Sequence, residues 1–145
     1  QIGSTAVTPL DDVAADAWNA VEAVNEDATL GTTGELGSID ADANRLQQLL
    51  ENLFRNAIEH AGSTVTVRVD RLADGDGFAV EDDGPGIPPS EREEVFDWGY
   101  SDDGGSGIGL YTVKQVVDGH GWEIGITESD AGGARFEIRT GSGSE

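Results

Sequence analysis

"NLFRNAIEH" (residues 52–60) places two asparagines, Asn52 and Asn56, four apart in an otherwise helix-prone stretch. Asparagine is a poor helix former, because its short amide competes with the backbone for hydrogen bonds. Positions four apart share a helix face, so the two amides point the same way. Around them, Leu46, Leu49, Leu50, Leu53 and Ala57 recur at helical spacing. This predicts a helix over about 41–61, capped by Asp40 and ended by Gly62. Asn52 and Asn56 fall on the flank of its apolar stripe, where it borders something polar.

Further out, "STAVT" (4–8) alternates as a short strand, and "PLDDVAADAWNAVEAV" predicts a helix over about 9–25. That helix starts at Pro9 and has Val13, Ala17, Ala20, Val21 and Val24 on its apolar face. "ATLGTTGE" (28–35) is a weak strand. "STVTVRVDRL" (63–72) and "FAVED" (78–82) form a hairpin around "ADGDG". "PPSEREEVF" (88–96) is a short helix, "DWGYSDDGGSG" (97–107) a polar loop and "IGLYTVKQVVDGHG" (108–121) a helix ended by glycine. "WEIGITES" and "GARFEIRT" make a last hairpin around "DAGG", followed by a disordered tail at 141–145. Two hairpins mixed with helices, without strict alternation, predict an α/β (α+β) two-layer sandwich. Its mixed, largely antiparallel sheet of about five strands packs on about three helices.

The 145 residues suit one domain, over 1–140, and 37% hydrophobic content is enough for a core. With 29 acidic residues against 8 basic ones, the formal charge is −21. That opposes binding to nucleic acid or to an anionic membrane surface. The acids are spread along the chain and lysine occurs once, at Lys114, a surface resembling that of proteins from salt-loving archaea. Cysteine is absent, which excludes disulfides and thiolate metal sites. Methionine is absent too, and a fragment of a longer protein is the simplest expectation.

Two glycine-rich loops carry the chemistry. "EDDGPGIP" (81–88) ends a strand, and "GGSGIGL" (104–110) opens a helix, where free N–H groups suit phosphates. The spacing of Gly105, Gly107 and Gly109 breaks the dinucleotide-binding pattern, and no Walker loop occurs. A calcium loop at "ADGDG" would place ligands on Leu72 and Asp83, so that reading fails.

In order, the asparagine helix, DxGxG after a strand, a phenylalanine segment and GxGxG before a helix resemble the catalytic, ATP-binding domain of sensor histidine kinases. This is the Bergerat-fold group, shared with gyrase, mismatch-repair and chaperone ATPases. The resemblance covers about residues 4–140 and implies ATP and Mg²⁺ as cofactors. It makes Asn56 the Mg²⁺ ligand and places Asn52 beside the phosphates, both as catalytic residues. Where the hydrolytic members carry a water-activating glutamate, this chain has Asn52, which cannot be a general base. Glu51 is about 100° away around the helix.

Asp82, first of the DxGxG box with Gly84, Gly86 and the adjoining Ile87, is implied to accept a hydrogen bond from the adenine amino group, which would disfavour guanine. Asp83 is the solvated variable position. His60 either stacks on adenine or answers the helix dipole, and His120 is a structural turn residue. By the same resemblance Phe96 would anchor an ATP lid over 97–106, with Trp98 and Tyr100 expected to pack nearby. Gly105, Ser106, Gly107, Ile108, Gly109 and Leu110 bring backbone N–H groups to the phosphates.

Two features depart from the family: Glu59 replaces a frequent basic residue, and the lid holds Asp102 and Asp103 where a basic residue is frequent. Arg55 lies about 100° from Asn56. The implied activity is γ-phosphate transfer to a histidine on a dimerisation domain expected upstream of residue 1. The setting is cytoplasmic two-component signalling through a response regulator, with the isolated domain a monomer. The alternatives are a self-contained ATPase, an anti-sigma-type serine kinase and a non-catalytic nucleotide-binding module.

Overall fold

Alternation in "TVRVDR" gives a strand with one dry side: Val67 and Val69 are buried while Thr66 and Arg68 are exposed. The computed structural model describes residues 6–22, 29–32, 36–61, 65–72, 77–84, 90, 109–128 and 132–140. In chain order the elements are β1 (Ala6–Pro9), α1 (Leu10–Glu22), β2 (Thr29–Thr32), β3 (Ser38–Ala41), α2 (Ala43–Ala61), β4 (Thr66–Arg71), β5 (Gly77–Asp82), α3 (Gly109–Gly119), β6 (Glu123–Glu128) and β7 (Ala134–Arg139).

Five of these strands form a mixed sheet in the order β2-β4-β5-β7-β6. Only β2 and β4 run parallel, with Leu30 opposite Val67, and the chain between them includes α2. A parallel pair needs such a crossover, whereas β4–β5 and β6–β7 are antiparallel and need only a turn. The two-layer sandwich of a mixed sheet and three helices is therefore the fold adopted. α2 packs against both α1 and α3, and its Leu46, Leu49, Leu50, Leu53 and Phe54 are buried in one core with Val67, Val69, Phe78, Val80, Phe136 and Ile138. Trp18 of α1 meets Phe54 edge-on, with ring centroids 5.2 Å apart.

Several boundaries differ from expectation. Pro9 ends β1, paired with Ser38, and α1 starts one residue later. Its fixed φ suits an extended strand end as well as a helix start. The buried face of α1 is Leu10, Val13, Ala14, Ala17, Trp18 and Val21, while Ala20 is exposed. Asp40 is not the α2 cap; it lies in β3 opposite Val7, in a two-stranded ribbon too short to show a pattern. The cap is Asp42, whose Oδ1 accepts the N–H groups of Asn44 (3.1 Å) and Arg45 (3.3 Å). α3 ends in a Schellman turn: Gly121 has φ 76°, its N–H reaches Asp118 O (3.1 Å), and Trp122 N–H reaches Val117 O (2.9 Å). Residues 73–76 of the expected 73–77 turn, the lid at 97–106 and the tail at 141–145 lie outside the described residues, as does the 88–96 helix apart from Ser90, while Gly77 already belongs to β5. No helix among the described residues is long and apolar enough to cross a membrane.

Candidate nucleotide site

Three elements carry those expected residues that the structure describes. α2 carries Asn52 and Asn56 and packs against α3 and β5. β5 ends at Asp82, and α3 begins at Gly109. Both asparagines are half-buried beside Leu53 and Ala57, at the predicted border of the core. Asn52 Oδ1 accepts a hydrogen bond from Arg55 Nη1 at 3.2 Å. The long arginine thus reaches one helix turn back, although its Cβ direction sets it apart from Asn56. Glu51 accepts from Gln47 Nε2 at 2.9 Å and lines a shallow groove with Asn44, Arg45, Gln47 and Gln48.

Asp82 is a buried carboxylate, 8% exposed. Its register opposite Val67 turns it toward the helix layer rather than to the outer face. Its Oδ1 accepts two backbone N–H groups, from Gly84 (2.9 Å) and from Ala134 at the start of β7 (3.2 Å). Charge-assisted bonds of this kind are how a buried carboxylate is tolerated. Asp83 is exposed as expected, yet its Oδ1 also accepts from Thr66 N at 3.0 Å and so fastens the start of β4.

On the opposite face of the sheet, β5 is clamped by ions. Glu81, 6% exposed, lies between Arg68 (3.6 Å) and Arg135 (2.7 Å). Arg135 also bonds Asp70 (3.3 Å) and Glu137 (2.9 Å). Burial lowers the Arg135 pKa, but the hydrogen bonds it donates to Glu137, Glu81 and Asp70, with the charge of Glu81, carry it above the ordinary arginine value. The clamp fixes the β4–β5–β7 register one residue before Asp82.

His120 does more than fill a turn. Its Nε2 accepts Asp42 N–H at 3.0 Å, which leaves Nδ1–H to donate to Val116 O at 2.9 Å. The ring also stacks on Trp122 with centroids 4.0 Å apart. It therefore ties the start of α2 to the end of α3, the two helices that flank the site. No local pattern signals this contact, because the partners are 78 positions apart. Ala134, 52 positions from Asp82, was invisible for the same reason.

Leu110 is buried in the first turn of α3. Gly86, Ile87, Phe96, Trp98, Tyr100, Asp102, Asp103, Gly105, Ser106, Gly107 and Ile108 lie outside the described residues, as do the side chains of Glu59 and His60.

The half-buried asparagine pair lies on α2, and the backbone-held aspartate and the glycine-led helix lie on the two elements packed against it. Residues 41–142 match the family described as "Histidine kinase-, DNA gyrase B-, and HSP90-like ATPase", and the chain belongs to that family. It is 37% identical to the signal transduction histidine-protein kinase AfsQ2 of Streptomyces coelicolor over 86% of this chain and 23% of that protein. It is 36% identical to the sensor histidine kinase CpxA of Escherichia coli over 66% of this chain and 22% of that protein. The chain thus spans about a quarter of the length of these relatives. Among solved structures, the mycobacterial sensor histidine kinase MprB superposes with a TM-score of 0.80 at 26% identity, covering 92% of this chain and 95% of that one. Full-length ShkA in complex with AMPPNP gives 0.78 at 25% identity, covering 94% of this chain and 31% of that one.

Proposed function

We propose that this domain binds Mg·ATP and presents the γ-phosphate to a histidine on a separate helical dimerisation domain, within a cytoplasmic two-component pathway that ends at a response regulator. The observation that carries the reading is the buried Asp82 carboxylate, held by the Gly84 and Ala134 amides on the strand that packs against the asparagine helix. A fixed acceptor there suits an adenine amino group. Asn52 and Asn56 present neutral amide oxygens from one helix face, and Asn56 would hold Mg²⁺. Among the described residues no cluster of three or more His, Cys, Asp or Glu is placed to hold a metal. The donor set nevertheless fits Mg²⁺, which takes few protein oxygens and completes its octahedron with phosphate and water. The ion would offset phosphate charge, and the chain's own part is to hold base and triphosphate in place.

Asn52 at the position of a hydrolytic glutamate, with Glu51 bonded to Gln47, favours keeping the phosphate for transfer rather than hydrolysis. Cations for the triphosphate are few: Arg68 and Arg135 pair with Glu81, and Lys114 pairs with Asp118. The isolated domain is monomeric in this reading, and its −21 charge is a surface adapted to the potassium chloride of a haloarchaeal cytoplasm. Titration of the domain with ATP, with and without Mg²⁺, tests the reading. Binding that strengthens with Mg²⁺ and loses that gain in Asn56→Ala is expected; an Asn56→Ala variant with an unchanged Mg²⁺ effect refutes the assignment of the metal ligand.

A further inference from the structure

We infer that the turn before β7, through Gly133 and the Ala134 N–H, positions Asp82 and so sets the base selectivity of the site. This rests on the reading that Asp82 meets adenine, and it adds two residues to that reading. Gly133 needs no unusual backbone, since only Gly37, Gly121 and Gly132 have positive φ among the described residues. What it needs is space. A Cβ built on Gly133 would stand 2.7 Å from the Asp82 carbonyl carbon, and closer still to the carbonyl oxygen and Oδ1. These obstacles are a strand backbone and a carboxylate held at both donors, so neither yields as the end of a flexible side chain would. The lack of a side chain lets the turn lie flat on Asp82, and that approach brings Ala134 N–H within 3.2 Å of Oδ1.

The two amides differ in what they can do. Gly84 N–H lies two residues beyond Asp82, in the loop that leaves the end of β5, and moves with that end. Ala134 N–H comes from another strand and holds the carboxylate against the sheet frame. With both, one rotamer is selected and the acceptor faces the base in a fixed direction. With Gly84 alone, the carboxylate can rotate with that end. Gly133 and Ala134 are positioning residues in this scheme, because they reach the base only through Asp82.

The test compares three glycine variants of the domain by thermal melt and by ATP and GTP titration. Gly125→Ala adds a methyl where nothing lies within 4 Å and should match the parent throughout. Gly77→Ala, whose Cβ would stand 3.0 Å from the Ile138 carbonyl carbon, strains the same β5–β7 pair at the end remote from Asp82. It should lower the melting temperature and leave the ATP-to-GTP affinity ratio unchanged. Gly133→Ala should reduce that ratio on the order of tenfold, about the worth of one charge-assisted bond. A Gly133→Ala variant that melts early but keeps the parent's ratio would overturn the inference and leave the adenine reading intact. A parent with no preference for ATP would overturn both.

Should Gly133→Ala not fold, amide NMR of the parent decides. Saturation with ATP should shift the Ala134 amide as well as that of Gly84. A response at Gly84 with none at Ala134 refutes the role of the turn.

Discussion

Replacing Asp82 by asparagine changes one oxygen to an NH₂ with almost no change of volume, so its effects report on hydrogen bonding. A carboxylate offers two acceptor atoms, whereas an amide has one acceptor end and one donor end. Gly84 N–H at 2.9 Å and Ala134 N–H at 3.2 Å both require the acceptor end. The donor end is then left for the remaining contacts of the residue, the base included. The two backbone bonds also fall from charge-assisted to neutral, at a cost of about 1–2 kcal/mol to the fold. In a chain of −21 charge, removing one carboxylate offsets a part of this. For adenine, a lost charge-assisted bond and a donor set against its amino group weaken binding by about 1.5–3 kcal/mol, or roughly 10- to 150-fold. Guanine presents a carbonyl at the same place and should bind the variant better than it binds the parent. Calorimetric titration with ATP and GTP, at a temperature where both proteins are folded, measures the two ratios. An Asp82→Asn variant whose ATP-to-GTP ratio equals the parent's would refute the adenine assignment.

Three further perturbations bear on the frame around the site. Arg135→Ala removes the 2.7 Å partner of Glu81 and leaves that nearly buried carboxylate with Arg68 at 3.6 Å. Because Arg135 keeps some solvent contact, about 2–3 kcal/mol is expected in urea unfolding rather than the full penalty of breaking a buried pair; a loss under about 0.5 kcal/mol would show the clamp to be idle. His120→Phe keeps a ring to stack on Trp122 but deprives Asp42 N–H of its partner and Val116 O of one of its two, the backbone N–H of residue 120 at 3.1 Å remaining, for an expected loss of about 1–2 kcal/mol. Parent-like stability would mean that the α2–α3 tie contributes nothing. Raising potassium chloride from about 0.1 M to about 2 M shortens the Debye length from about 10 Å to below 3 Å. Screening among 29 acidic side chains should raise the melting temperature markedly and strengthen ATP binding in parallel, and a flat melting temperature would remove the case for a salt-adapted surface.

Legibility followed the range of the interactions. The α2 stripe is legible because helical periodicity is local, and both hairpins are legible because alternation and turn residues are local too. The first strand is legible in "STAVT", but its partner β3 is not: "SIDA" is four residues long and follows a glycine, and Asp40 and Asp42 are equally good caps until the chain pairs one of them with Val7. Ala20 was placed in the core by spacing, but Trp18 is larger and rotates the buried face of α1 toward itself and Phe54. At the site, Asp82 carried a motif and could be named. Its holder Ala134, and the His120 tie to Asp42, are main-chain donors meeting side chains from distant segments, and a backbone N–H leaves no mark in a sequence.

The central claim is that this domain gives its phosphate to histidine. The direct measurement mixes it with Mg²⁺, ATP labelled at the γ-position and the histidine-bearing helical domain proposed as its partner, then follows the label. The account predicts label on the acceptor that survives base and is lost in acid, as a phosphohistidine is, and none when Asn56→Ala replaces the parent. Inorganic phosphate released at the same rate with or without the acceptor, or an acid-stable phosphoserine, would contradict it.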